Sequence, residues 1–176
     1  MRFLVITNLY PPQELGGYGR CLADFVWGLT QLGHHIKVVS SDAPYLSKDP
    51  LLDNSSQQNV DIIRSLRLKG SYHTGLSLID DQETCTQIDR SNIYLLSRLL
   101  SENWDGILLG NIDLIGPQIL PSLLEANIPI LHHIGFVDPP FPPHPLFDSP
   151  NYHILPASNA VANSLTAVLS GARQIQ

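Results

Sequence analysis

The chain has 176 residues, 43% of them hydrophobic and 15% charged, and carries a formal net charge of −6 at neutral pH. That length suffices for one domain with a sizeable core. A mean hydropathy of +0.03 and a pI near 5.5 exclude a wholly disordered chain and argue against the basic footprint of a nucleic-acid binder.

No apolar run approaches the ~20 residues of a membrane span. The N-terminus, MRFLVITNLYPP, has no small-residue cleavage site. Cys21 and Cys85 stand in no metal or redox spacing, so a cytoplasmic protein with two unpaired thiols is expected. Arg2 to Thr7 is a short β-rich run without helical period, which suits a strand buried on both faces of a parallel sheet. Asn8 to Gly19 carries Pro11, Pro12, Gly16, Gly17 and Gly19 and reads as a loop. From Arg20 to Leu32 the residues Leu22, Phe25, Val26, Leu29 and Leu32 make one helical stripe, with Gly33 as the stop. Ile36 to Ser40 is predicted to be the second strand, which completes a βαβ unit with a right-handed crossover.

Ala43 to Asn59 is polar, contains Pro44 and Pro50, and is predicted to be a long loop. Val60 to Leu68 is expected as a third strand, and Lys69 to Thr84 is irregular. A helix over Ile88 to Leu100 should start nearer Gln82, followed by a buried strand at Gly106 to Leu109. Ile115 to Ala126 is predicted to be helical, with Pro117 in its first turn, and Ile128 to Ile134 to be a strand. Asp138 to Pro150 holds six prolines and is expected as a surface loop; Phe136, Phe141 and Phe147 either pack the loop on itself or offer an apolar or stacking surface for a sugar or lipid. A last strand at Tyr152 to Pro156 and a helix at Asn159 to Leu169 complete the chain. The alternation implies an α/β fold: one Rossmann-like three-layer αβα domain over residues 1–176 with a mainly parallel, doubly wound sheet.

In such a sheet ligands bind beyond the carboxyl ends of the strands. The Gly16-Gly17-Tyr18-Gly19-Arg20 run lies between the first strand and the first helix, where uncovered backbone N–H groups and the helix dipole favour an anion. It is neither G-x-G-x-x-G nor a Walker A loop, and a plain tight turn is the competing explanation. Arg20 in the first helical turn opposes the dipole, so a ligand or carboxylate partner would account for it. Asn111 also sits at a strand's carboxyl end; ligand contact and a helix N-cap region are both open. The Asp80-Asp81 pair reads as a solvated turn.

The run from Tyr10 to Ser40 resembles the opening of the family 4, or group 1, retaining glycosyltransferases: a strand, a Pro-Pro turn, a Gly-Gly loop with Arg three residues after the second Gly, an amphipathic helix and a Gly-His pair. Pro11, Pro12, Gly16, Gly17, Arg20, Gly33 and His34 fall on that pattern. More loosely, Trp104 to Leu108, Ile128 to His133 and Leu155 to Ser158 are similar to later stretches of the family's N-terminal domain. The resemblance implies one half of a GT-B fold, in which this half binds a sugar or lipid-linked acceptor and a C-terminal domain, absent here, binds the nucleotide-sugar donor. It implies sugar transfer with retention, no required metal or other cofactor, backbone amides of the Gly-Gly loop near the donor phosphates, and peripheral membrane contact as an option.

The family's active-site His falls six residues after the strand's Pro, a position occupied here by Gly135. His133, two residues earlier, shares a face with Gly135 by strand alternation and is the candidate catalytic residue, while His132 points the other way; that both are strand-end histidines satisfied by hydrogen bonds is the competing explanation. The candidate substrate and phosphate residues are Gly16, Gly17, Tyr18, Arg20, Asn111 and Gly135. The alternative is a non-catalytic Rossmann-like module that binds a phosphate-bearing ligand or a partner protein.

Overall fold

The computed structural model describes residues 1–13, 17–43, 60–72, 75–137, 149–168 and 173–174. The expected loop at 43–59 and the proline-rich stretch therefore fall almost wholly outside the described residues, as does Gly16.

Strand β1 (Arg2–Ile6) leads through helix α1 (Tyr18–Gln31) to β2 (His35–Ser41) and β3 (Val60–Leu66). A two-residue hairpin, β4 (Gly70–Ser71) and β5 (Ser77–Leu78), precedes α2 (Gln82–Leu100) and β6 (Gly106–Leu109). A 3-10 turn (Pro117–Ile119) and α3 (Leu120–Glu125) then lead to β7 (Ile130–Ile134), β8 (Tyr152–Pro156), α4 (Asn159–Val168) and β9 (Arg173–Gln174). Among the described residues the main sheet has seven strands in the order β3-β2-β1-β6-β7-β8-β9, all parallel. This is the doubly wound Rossmann-like fold that the alternating pattern predicts. The order reverses between β1 and β6, which makes their carboxyl ends the topological switch point.

Two cores follow from strand alternation. Leu4, Ile6, Ile107, Leu109, Ile130 and Ile134 pack against α2, α3 and α4. Val5, Val38 and Leu108 point the other way, against Leu22 and Val26 of α1. Both α1 residues are fully buried, each contributing about 1.5–3 kcal/mol of hydrophobic stabilisation.

The helix ends are chemically specified. At the end of α1, Gly33 takes φ +80°, its N–H donates to the Thr30 carbonyl (2.9 Å), and the His34 N–H donates to the Leu29 carbonyl (3.1 Å). That pairing is a Schellman motif, and it needs a residue that tolerates left-handed backbone. His34, the family-like Gly-His position, packs edge-on against Phe3 at 5.4 Å. Asp81 caps α2 by accepting from the Thr84 N–H at 2.8 Å, which holds its carboxyl below the usual range. Asn92 of α2 is buried and pairs with the Arg67 backbone in both directions, at 2.8 and 2.9 Å.

Several expected boundaries shift for physical reasons. The helix predicted over Ile115 to Ala126 shrinks to α3, because Gly116 turns at φ +91° and Pro121 must sit in a first helical turn. β7 starts at Ile130 rather than Ile128, since Pro129 cannot donate to the ladder. β9 and the β4–β5 hairpin were not expected as strands. Trp104 and Asp105 belong to the amino end of the sheet. The Arg2 backbone N–H donates to Asp105 at 2.7 Å, and the Arg2 guanidinium lies 4.8 Å over the Trp104 ring.

Candidate functional site at the carboxyl edge of the sheet

The register places a row of residues along the carboxyl edge, on the face that α1 covers. Arg64 pairs with Ser40, and His133 pairs with Leu155. One step beyond the Ile6–Leu109 and Leu109–His132 pairs, Thr7, Gly110 and His133 continue the row. Gly110 is needed there: a Cβ would lie 2.8 Å from Leu22 Cδ2 and 2.9 Å from Thr7 Oγ1.

A cleft of about 500 Å³ opens at one end of this row. It is lined by Gly17, Cys21 and Phe25 at the start of α1 and along it, His133 and Gly135 at the end of β7, and Leu155 to Ala157 at the end of β8. Gly17, Cys21 and Phe25 are spaced by four residues and so share one helical face. Gly17 is the N-cap of α1; among the described residues no side chain caps that end, and the first turn carries no acidic residue. The first turn itself therefore adds no counter-charge to the positive end of the helix. His133 is nearly buried (5% exposed) and meets Phe25 edge-on, with ring centroids 5.4 Å apart. Burial pushes its pKa below the ordinary imidazole value, so the ring is neutral near pH 7. Burial, with the Asp24 charge adding to it, raises the Cys21 thiol, which stays protonated.

His132 faces the opposite core, as strand alternation predicts. It is 1% exposed, and its Nδ1 lies 2.5 Å from the Tyr152 hydroxyl. Burial pushes its pKa down to about 3; the neighbouring His133 acts in the same direction and a hydrogen bond with the Gly110 backbone against it.

The structure thus brings Gly17, His133 and Gly135 into one cleft. Arg20 is exposed on α1 and is not among the described residues that line it, and the Tyr18 side chain lies outside the described atoms. Asn111 belongs to the switch point instead. Its carbonyl accepts from the Asn8 N–H at 2.8 Å, and its side-chain oxygen accepts from the Asp113 N–H at 3.1 Å. There Asn8 Nδ2 donates to Tyr72 Oη (2.9 Å) and to Asp113, and the Tyr72 hydroxyl donates to Asp113 Oδ1 at 2.6 Å. Burial first, then that bond to Asp113, raises the Tyr72 phenol above its usual range. The cluster ties the hairpin to the loops after β1 and β6.

Two residues that sequence reasoning missed, Gln13 and Arg64, hold the segment leading into the glycine loop. Gln13 is fully buried, and its Nε2 donates to the carbonyls of Ser41 (2.9 Å) and Ala43 (2.6 Å). No local motif marks either residue, because their contacts exist only once β3 lies beside β2. Among the described residues no group of three or more His, Cys, Asp or Glu side chains converges as a metal site, and no helix is long and apolar enough to cross a membrane.

No protein-family model and no curated protein sequence matches the chain. A solved structure, that of a UGT transferase from Siraitia grosvenorii in complex with UDP, has a similar fold, with a TM-score of 0.51 at 10% sequence identity. The likeness covers 95% of this chain and 48% of that one, so the chain spans about half the length of the solved protein. At this identity the likeness shows the fold alone: the chain has the Rossmann-like architecture found within a transferase that binds UDP.

Proposed function

We propose that the chain is the acceptor-side half of a GT-B glycosyltransferase of the retaining, family 4 type, and that it works with a donor-binding domain of the same enzyme. The observation that carries this reading is the cleft in which Gly17, the N-cap of α1, faces His133 and Gly135. The fold likeness to a UDP-bound transferase of about twice the length supports it.

On this reading a nucleotide-sugar is co-substrate, and the amides of the Gly16-Gly17 loop approach its diphosphate while Arg20 supports the loop. Charge accumulates on the leaving phosphate as the bond to the anomeric carbon breaks, and N–H groups held in place stabilise that charge without reorganising. The acceptor oxygen bonds to the anomeric carbon on the face the phosphate leaves, and the acceptor proton departs with the diphosphate. No metal ion is needed in this scheme. His133, neutral at pH 7, hydrogen-bonds a sugar hydroxyl beside the reacting carbon without adding a charge. The acceptor is a sugar or a lipid-linked sugar, with peripheral membrane contact in the second case, and the reaction belongs to the cytoplasm.

The test is to incubate the protein with its donor domain and a panel of UDP-, GDP- and ADP-sugars, following nucleoside diphosphate release and the product's anomeric configuration by NMR. Release from one donor with the configuration retained is expected. Inversion would overturn the retaining mechanism. Phosphate-ligand binding without release from any donor would favour the non-catalytic module.

A further inference from the structure

Arg64 stands on β3, at the edge of the sheet, and its guanidinium reaches past β2 into the segment that follows β1. Its Nη1 donates to the Tyr10 carbonyl (2.9 Å), to Gln13 Oε1 (2.7 Å) and to Ser40 Oγ (3.1 Å). Its Nη2 donates to the Pro11 carbonyl at 2.5 Å. Gln13 Oε1 also accepts from Ser40 Oγ at 3.3 Å, so one fork and one buried amide fix residues 10–13 against two strands. A planar guanidinium can hold several acceptors at once in set directions, which an ammonium point charge cannot. The fixed segment in turn supports α1. Tyr10, fully buried, shares one core cluster with Leu22 and Val26 of α1, and the space between Gly19 and the carbonyls of Leu9 and Gln13 is one methyl wide, since a Cβ there would meet them at 3.7 and 3.8 Å.

We infer that Arg64, acting through Gln13 and the carbonyls of Tyr10 and Pro11, is a positioning residue that sets where the backbone of Gly17 to Gly19 meets an anionic ligand. For the ligand, this rests on the proposed phosphate-facing role of the glycine loop. Arg64 itself touches no ligand; it acts by holding the arm that carries the loop.

The experiment uses the isotopically labelled chain as wild type, Arg64→Lys, and the milder Ser40→Ala, which removes one acceptor of Nη1. The first measurement needs no ligand. Amide hydrogen exchange at Cys21, whose N–H donates to the Gly17 carbonyl at 3.0 Å, should be at least tenfold faster in Arg64→Lys, and less accelerated in Ser40→Ala, while Val5 and Val38 exchange as in wild type. Unchanged exchange at the start of α1 overturns the inference. Equal acceleration at Val5 and Val38 also overturns it, because Arg64 would then serve global stability only. The second measurement titrates inorganic pyrophosphate and follows the Gly17 amide shift. Affinity at least tenfold weaker in Arg64→Lys is expected, and equal affinity in that variant overturns the inference, since charge alone would suffice. A wild-type chain whose Gly17 amide ignores pyrophosphate contradicts the phosphate reading instead, and the exchange measurement still decides the role of Arg64.

Discussion

At the carboxyl edge, two buried polar side chains carry opposite consequences for stability. Thr7 is fully buried, and its Oγ1 has no hydrogen-bond partner among the described residues. Replacing that hydroxyl by a methyl in Thr7→Val removes an unmet desolvation cost, with an expected gain of about 1 kcal/mol. For a domain of this size the melting temperature should rise by roughly 2–4 °C, and a fall in thermal denaturation would show that the hydroxyl is satisfied. His132 is fitted to its site as a neutral ring. Its folded-state pKa, about 3, lies below the ordinary value of 6.5, so between those values the unfolded chain binds a proton that the folded chain refuses. Stability from this residue is therefore complete above pH 6.5 and lost as the pH falls, by up to about 1.4 kcal/mol per pH unit. Urea denaturation at pH 7, 6, 5 and 4 should show a shallower pH slope in His132→Gln than in wild type. An identical slope would remove His132 from the acid response.

Among elements, the fit of α1 to the sheet controls the geometry of the cleft. It depends on Gly110, where a Cβ would come within 2.8 Å of Leu22 Cδ2. Gly110→Ala should cost about 1–3 kcal/mol by overpacking. Combined with Leu22→Ala it should cost less than the sum of the two single changes, because the removed side chain makes the room. A strictly additive double mutant would mean that the helix does not press on the sheet there. The elements are legible in the sequence where burial marks them, as helical stripes in α1 and α2 and as short apolar runs in β1, β2 and β6. The helix over Ile115 to Ala126 was overextended because its apolar stripe hid the requirement of Pro121. Two-residue pairings such as β4–β5 and β9 have no period to read. His133 and Gly135 were legible as partners through strand alternation alone. Arg64 and Gln13 were not, because their function depends on a strand order that no local pattern encodes.

For the whole molecule, the seven-stranded parallel sheet places its switch point and its cleft on the same edge, and the described surface of that cleft belongs to one half of an active site in the proposed scheme. The central claim is that the backbone at Gly17 approaches a ligand closely. The fold itself does not demand glycine there: its φ is −82°, and a Cβ would meet nothing within 4 Å. Sugar transfer by the protein together with its donor domain, compared between wild type and Gly17→Val at matched melting temperature, is the most direct measurement. The account predicts that Gly17→Val keeps the fold and loses transfer by at least a hundredfold, in the range seen when one preorganised amide contact is removed. Turnover equal to wild type in a folded Gly17→Val protein would contradict it.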